Sequence, residues 1–190
     1  MTLLQEQGLG VRRLALSTQR IMPTPPESVV LGIDPGTAIL GYGVVRGERD
    51  PAMVAYGVVR TQAKTPPEKR LQLLYDGVSR LIAQYLPDCV AVEQLFFSKN
   101  VTTALPVMQA RGVVLLAAAN ADLPVFEYRP IEVKQAITGY GKADKPQMQE
   151  MVRILLHLDT IPQPDDAADA LAIAICHLHS ARYISATAVK

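Results

Sequence analysis

Residues 29–61 read VVLGIDPGTAILGYGVVRGERDPAMVAYGVVRT and decide the fold. Three stretches within them are short, apolar and rich in β-branched residues: VVLGID, GYGVVRG and MVAYGVVRT. Turn-forming residues separate each stretch from the next, which is the pattern of consecutive β-strands. The segment therefore predicts a meander of three antiparallel strands that begins at Val29.

Predicted helices and strands alternate after the meander. Following Pro66 and Pro67, apolar residues recur at a spacing that lines one face of a helix. These residues are Leu71, Leu74, Val78, Leu81, Ile82 and Tyr85. The remaining predicted elements are a strand at Cys89–Glu93, a helix over about residues 102–120, a strand at Val125–Tyr128, further helices after Pro130, and a last helix at Ala167–His179.

This order of elements predicts the fold class. Parallel neighbouring strands need crossover connections, whereas antiparallel strands need only hairpins. Three antiparallel strands followed by strand, helix, strand and helix therefore predict an α/β protein with a mixed five-stranded sheet, flanked by helices in ribonuclease-H-like order. A chain of 190 residues suits a single domain. We expect this domain at residues 29–183, between a loose N-terminal extension (residues 1–28) and a short tail (residues 184–190).

Composition excludes several classes of protein. Hydrophobic residues make up 49% of the chain and charged residues 19%, which excludes a disordered protein. No apolar run approaches the ~20 residues that cross a bilayer, so no membrane protein is predicted. Cys89 and Cys176 lie far apart without metal-type spacing, which favours reduced thiols in a cytoplasmic protein. The net charge of +1 leaves nucleic-acid binding open, because phosphate recognition depends on where Lys and Arg lie.

Four acidic residues occupy positions from which they can meet. Asp34 ends the first strand and Glu93 ends the fourth, and carboxyl ends of strands are the usual location of sites in α/β sheets. Asp166 and Asp169 are three residues apart, so they share one face of a helix. Four carboxylates together would repel each other without a cation, so the cluster predicts Mg²⁺ or Mn²⁺. Two such ions can activate water beside a phosphodiester and stabilise the departing 3′ oxygen.

Four segments resemble a known family. They are GIDPGTAILGYGVV, AVEQLFFSKN with the downstream MQARGV, VKQAITGYGKADKPQMQEMV and DDAADALAIAICH. Their order and spacing resemble the RuvC family of Holliday junction resolvases over about Val29 to His179. The resemblance implies a homodimeric endonuclease that resolves four-way DNA junctions by paired, metal-dependent nicks in recombination and repair. It also suggests cooperation with the RuvA and RuvB proteins.

Carried over by motif, the resemblance makes Asp34, Glu93, Asp166 and Asp169 the metal-binding catalytic acids. Some relatives have His where Asp166 stands. Asp165 is a neighbouring carboxylate whose part in metal binding stays open. The N-terminal extension has no counterpart in the family pattern.

The resemblance also implies contacts with DNA. Lys134 and Lys145 match basic positions near the scissile phosphate, where a lysine can hold a phosphate oxygen; without that match they would be interpreted as surface lysines. Phe96 matches a residue that stacks on a base at the junction centre. Further candidates are Phe97, Arg111, Tyr140 and Lys142.

Each acid alone has a structural explanation, since Asp-Pro-Gly is a common turn, a glutamate at a strand end is often a surface ion-pair partner, and aspartates often cap helices.

Two other classes of function compete with this interpretation. An ATP-binding protein of the actin or sugar-kinase type shares the GIDPGT motif but needs a second Gly-rich loop, and none follows Glu93. A junction-binding protein without catalysis would lose some of the four acids, and all four are present.

Overall fold

The computed structural model describes residues 27–47, 50–94 and 101–187, with the side chains of 101–104 and 181–187 left aside. Its strands are β1 (Val29–Asp34), β2 (Ile39–Arg46), β3 (Ala52–Arg60), β4 (Cys89–Glu93) and β5 (Val125–Tyr128). They form one sheet in the order β3-β2-β1-β4-β5. β2 pairs antiparallel with both β1 and β3. β4 pairs parallel with both β1 and β5. The predicted mixed five-stranded sheet is confirmed.

Five helices flank this sheet in the described part of the chain. They are α1 (Pro67–Tyr85), α2 (Val101–Asn120), α3 (Pro130–Thr138), α4 (Lys145–Leu155) and α5 (Asp165–Thr187). The prediction of a last helix at Ala167–His179 was too short at both ends. Asp165 and Asp166 form the first turn, where carboxylates suit the helix dipole, and no Gly or Pro interrupts residues 180–187. None of these helices combines the length and apolar character that a bilayer span requires.

Side chains alternate between the two faces of the sheet, so each face has its own apolar core. Leu31 and Val90 point to the face covered by α1 and α2, where Leu74 and Val114 pack. Val30 belongs to the core of the opposite face, which α3, α4 and α5 cover. The domain is therefore a three-layer α/β structure with the sheet in the middle.

Helix α5 lies directly on β1 and β2 because glycines remove the side chains between them. A Cβ added at Gly43 would lie 2.7 Å from the Leu171 backbone nitrogen, and one at Gly41 would overlap the Asp166 carbonyl. One at Gly32 would overlap the Ala170 carbonyl. No side chain larger than hydrogen fits at these positions. The backbone of α5 is thus held close to the strand that ends at Asp34.

Candidate active site

Two strand ends bring the first two candidate acids together. β1 and β4 are parallel neighbours with Ile33 paired to Val92, so Asp34 and Glu93 both lie at the carboxyl edge of the sheet. Parallel strands end at the same edge, which is why residues 59 positions apart in the chain become neighbours here. This part of the sequence prediction is realised in the structure.

The start of α5 adds the other two acids to this edge. Asp34 pairs with Gly41 across the β1–β2 ladder, and the backbone of Asp166 packs against Gly41. Asp166 and Asp169 are both half-buried, one helical turn apart. The glycine in β2 therefore determines how closely α5 brings its acids to Asp34. Sequence reasoning treated these glycines as part of a motif and missed this packing role, although their alternation with bulky residues in LGYGVV was a visible signal.

A cavity of about 260 Å³ opens at this edge. Its polar lining consists of Asp34, Glu93, Asp169, Lys134 and Lys145. Its apolar lining comes from α3, α4 and α5: Pro130, Val133, Met148, Ala172 and Ile173. Asp166 does not line this cavity, but its negative charge helps to raise the pKa of Asp34. A group bound in this cavity can therefore contact both carboxylate oxygens and two lysine ammonium groups.

The charged form of Asp34 is disfavoured in this site. Burial, followed by repulsion from Asp169, Glu93 and Asp166, raises the pKa of Asp34 to about 7, although Lys145 acts in the opposite direction. A carboxyl group with such a pKa is half-protonated near neutral pH unless a positive charge joins it. A cation beside Asp34 would therefore favour its charged form.

Glu93 and Asp169 experience the same environment. Burial and then the charge of Asp169 raise the pKa of Glu93, and Lys134 partly offsets them. Burial also raises the pKa of Asp169, which Lys145 partly offsets. The two lysines of the cavity thus face different acids, Lys134 towards Glu93 and Lys145 towards Asp169.

Lys145 begins α4 and connects that helix with α5. Its Nζ lies 3.1 Å from Asp165 Oδ2 and 3.4 Å from Asp169 Oδ2. Gln149, one turn along α4, donates a hydrogen bond of 2.9 Å to Asp165 Oδ1. Burial disfavours the charged form of Lys145, but the hydrogen bonds to Asp165 and Asp169 outweigh it and raise its pKa. Asp165 therefore binds two residues of α4 and not the other acids.

The remaining DNA-contact candidates occupy several places. Tyr140 and Lys142 are exposed in the turn between α3 and α4, outside the cavity lining. Arg111 lies on α2, where its guanidinium forms an ion pair with Glu127 of β5. Phe96 and Phe97 lie outside the described residues. The structure thus gathers Lys134 and Lys145 with the acids, and leaves Arg111, Tyr140 and Lys142 apart from them.

A buried hydrogen-bond network lies behind the acids. His177 of α5 is 1% exposed, and its ring is hydrogen-bonded to the Tyr128 hydroxyl at 2.7 Å and to Cys89 Sγ at 3.3 Å. Tyr128 is the ladder partner of Glu93. The network therefore joins β4, β5 and α5, the elements that carry Glu93, Asp166 and Asp169. No spacing signal in the sequence pointed to these partners of His177.

The donor set fits a hard divalent cation in kind, because it consists of carboxylate oxygens that repel one another. As the side chains stand, however, no three acidic, histidine or cysteine residues in the described ranges are close enough together to hold one metal ion. Lys145 lies against Asp169 and supplies the positive charge instead.

Comparisons with known proteins point to one family. The family model described as crossover junction endodeoxyribonuclease RuvC matches residues 30–177. The crossover junction endodeoxyribonuclease RuvC of Heliobacterium modesticaldum is 61% identical over 154 residues, which cover 80% of this chain and 94% of that protein. Its counterpart in Thermomicrobium roseum is 56% identical over 153 residues, with 80% and 94% covered.

Solved structures show the same fold. Thermus thermophilus RuvC in complex with a Holliday junction substrate matches with a TM-score of 0.78 and 40% identity, covering 82% of this chain and 96% of that one. The yeast mitochondrial Holliday junction resolvase Ydc2, at 18% identity and a TM-score of 0.63, covers 88% of this chain and 85% of that one and is similar in fold. The ribonuclease-H-like order predicted from the sequence is confirmed. With four acids at one sheet edge, a matched family model over most of the chain and relatives above half identity, the chain belongs to the RuvC family of crossover junction endodeoxyribonucleases.

Proposed function

We propose that this chain resolves four-way DNA junctions in recombination and repair by hydrolysing phosphodiester bonds at the cavity formed by Asp34, Glu93 and Asp169. The observation that carries the proposal is the convergence of these acids with Lys134 and Lys145 in one cavity at the carboxyl edge of the sheet. A relative with 40% identity, Thermus thermophilus RuvC, has been solved with a Holliday junction substrate.

We assign metal binding to Asp34, Glu93, Asp166 and Asp169. When bound, Mg²⁺ or Mn²⁺, with two ions per site, supplies an activated water and stabilises the departing 3′ oxygen. The protein orients the acids through β1, β4 and the first turn of α5. Because Asp165 is held by Lys145 and Gln149, we give it a positioning role for Lys145 and not a place among the metal ligands.

The two cavity lysines bind the phosphate that is cut. Lys134 faces Glu93 and Lys145 faces Asp169, so together they flank the acids. A lysine ammonium can hold a phosphate oxygen and stabilise the charge that develops in the transition state. Tyr140 and Lys142 are exposed in the turn between α3 and α4, outside the cavity, and we assign them contacts with DNA away from the cut phosphate. We keep Arg111 as a weaker candidate because Glu127 already pairs with it. Phe96 and Phe97 are assigned to stacking on unpaired bases at the crossover.

A homodimer supplies the second active site that paired nicks require. One face of α2 carries apolar side chains that nothing in the described chain covers: Leu105 is 59% exposed and Leu116 is 54% exposed. Gly112 lies between them on the same face, and a Cβ added there would meet no atom within 4 Å. Apolar stripes of this kind mark interaction sites on proteins. We assign this stripe to the dimer interface.

Three further proposals concern the cellular setting and the limits of the domain. Cooperation with the RuvA and RuvB proteins follows from the family resemblance alone. Cytoplasmic location is proposed because Cys89 and Cys176 are free, buried thiols, which suits a reducing compartment. We place the start of the nuclease domain at residue 29, with residues 1–28 as an extension. The expected tail at residues 184–190 begins too early, because α5 continues to Thr187.

The proposal is tested by replacing Asp34 with asparagine, which keeps the shape of the side chain and removes its charge. Asp34→Asn is expected to lower the nicking rate on a labelled four-way junction in Mg²⁺ by about a thousandfold or more, since an oxygen ligand is weakened. Junction binding in EDTA is expected to persist. The rate is measured under single-turnover conditions on denaturing gels, and binding by gel shift.

Asp76→Asn is the matched control. Asp76 is exposed on α1, on the opposite side of the sheet, so this variant removes the same charge far from the cavity and should nick normally. Linear duplex of the same sequence is the substrate control. Undiminished nicking by Asp34→Asn in Mg²⁺ would refute the assignment of the acids.

A further inference from the structure

A second part of the carboxyl edge adjoins the active site on the α1 side. β3 runs parallel in direction to β1, because each pairs antiparallel with β2, so β3 also ends at this edge. Thr61, directly after β3, donates from its backbone nitrogen to Ala38 O at 3.0 Å and from its hydroxyl to Thr37 O at 2.5 Å. The connection from β3 to α1 is therefore fastened to the loop that follows Asp34.

This connection is rich in positive charge. Arg60 ends β3, Lys64 lies in the turn, and Lys69 and Arg70 lie in the first turn of α1. We call these four residues the β3–α1 patch. Residues 60–70 contain these four basic residues and one acid, Glu68, so their net charge is 4 − 1 = +3. Arg60, Lys64 and Lys69 are exposed.

The charges of the β3–α1 patch are not neutralised within the described chain. None of its residues lies within 4.0 Å of a described carboxylate, whereas Lys145, Arg111, Arg129 and Arg153 all form ion pairs. Arg70 is held in place by a neutral partner, since its Nε donates to the Thr61 hydroxyl at 2.8 Å. The positive end of the α1 dipole adds to the same field. The patch is thus a positively charged surface without acidic partners in the described chain, and it can bind an anion.

We propose that the β3–α1 patch is a second phosphate-binding surface, which holds the DNA backbone beyond the phosphate that is cut. This inference rests on the proposed function. Lys134 and Lys145 approach the acids from the α3 and α4 side of the sheet, and the β3–α1 patch lies on the α1 side. Thr61 joins Thr37, in the loop after Asp34, to Arg70 of the patch, so a DNA strand that follows this edge of the sheet past Asp34 would continue towards the patch.

The chemistry of the patch favours backbone contacts over contacts with bases. Residues 60–70 contain no aromatic side chain on which a base could stack. Lysine and arginine side chains at an exposed edge neutralise phosphates without reading sequence. The ligand is therefore the sugar-phosphate backbone of an arm of the junction, bound without sequence preference.

The test measures how junction binding depends on salt in EDTA, so that no cleavage occurs. Each lost phosphate contact lowers the slope of log Kd against log salt by about 1. Arg60→Gln/Lys64→Gln removes two exposed charges of the patch and is expected to weaken binding about tenfold and reduce the slope by about 1–2 between roughly 50 and 200 mM salt. Lys64→Glu, in a turn outside the strands, should weaken binding more than Lys64→Gln.

Arg46→Gln/Arg80→Gln is the charge-matched control. Arg46 ends β2 at the opposite edge of the sheet, and Arg80 is exposed about 20 Å along α1 from its first residue. This variant should keep the slope of the unmodified protein. Equal slopes for both double variants and the unmodified protein would overturn the proposal. A chain that binds junctions with these slopes but does not nick them in Mg²⁺ would contradict the proposed nuclease function and leave the phosphate surface intact.

Discussion

At the scale of single residues, His177 shows how a buried polar side chain ties the site to the stability of the domain. Burial lowers the pKa of His177 to about 4, from an ordinary value of 6.5. Its two ring nitrogens have partners in Tyr128 and Cys89, so the neutral ring is satisfied where it stands. Protonation would place a charge in the core behind Glu93.

This pKa predicts a loss of stability in acid. Between about pH 4 and 6.5 the unfolded chain binds a proton at His177 that the folded chain does not, so lowering the pH favours unfolding. His177 alone is expected to contribute a fall of about 2 kcal/mol in the free energy of unfolding from about pH 7.5 to 5. Urea unfolding of metal-free protein at both values measures it, and His177→Gln should show a smaller fall than the unmodified protein.

The comparison between variants is needed because Asp34 acts in the opposite direction. Its pKa of about 7 lies above the ordinary value, so the folded chain binds the extra proton and acidification towards pH 4 adds stability. His157→Gln is the matched control, since the side chain of His157 is 76% exposed and pairs with Asp50 at the surface. If His177→Gln and His157→Gln changed the pH dependence equally, burial of His177 would not be the cause.

At the scale of elements, the packing of α5 on β2 is what assembles the acids. Gly41 faces the carbonyl of Asp166, and any side chain there would collide with the helix backbone. Gly41→Ala is expected to push the first turn of α5 away from Asp34. Overpacking of this kind costs about 1–3 kcal/mol of stability, and we expect nicking to fall by tenfold or more because Asp166 and Asp169 move together.

Urea unfolding and single-turnover nicking of the same preparation measure both effects of Gly41→Ala. Gly77→Ala is the matched control, because its added methyl group would lie 2.9 Å from Val59 on the α1 side of the sheet, so it overpacks the domain away from α5 and should lower stability but nick normally. Normal stability together with normal nicking in Gly41→Ala would mean that α5 does not rest on β2 through this glycine.

The elements also show what could be predicted from the sequence. The strands β1, β4 and β5 were predicted at their observed bounds because β-branched runs stand between clear turn signals, and the positions of Asp34 and Glu93 at strand ends followed from them. The contacts between distant elements could not be predicted. Spacing says which face of α5 carries Asp169, but not that Lys145 will bind it or that Asp165 will turn towards α4.

At the scale of the whole molecule, one chain offers one acidic cavity among its described residues, whereas a four-way junction needs two strands cut. In the proposed homodimer, two copies related by a twofold axis would place two cavities on the symmetric substrate. The apolar stripe of α2 is a suitable contact because its opposite face, with Ala110 and Val114, is already buried in the domain.

If the proposed homodimer forms through this stripe, Leu116→Glu is expected to make the protein monomeric, because it places a charge in the apolar stripe of both copies. Sedimentation velocity at micromolar concentrations measures the state, and the monomer should nick junction strands singly and without coordination, as seen on a supercoiled cruciform plasmid that is nicked before it is linearised. Leu73→Glu is the matched control, since Leu73 is 44% exposed on α1 and lies outside the stripe. If Leu116→Glu is folded normally by circular dichroism but sediments like the unmodified protein as a dimer, the interface lies elsewhere. Another face of the domain would then set the spacing of the two active sites.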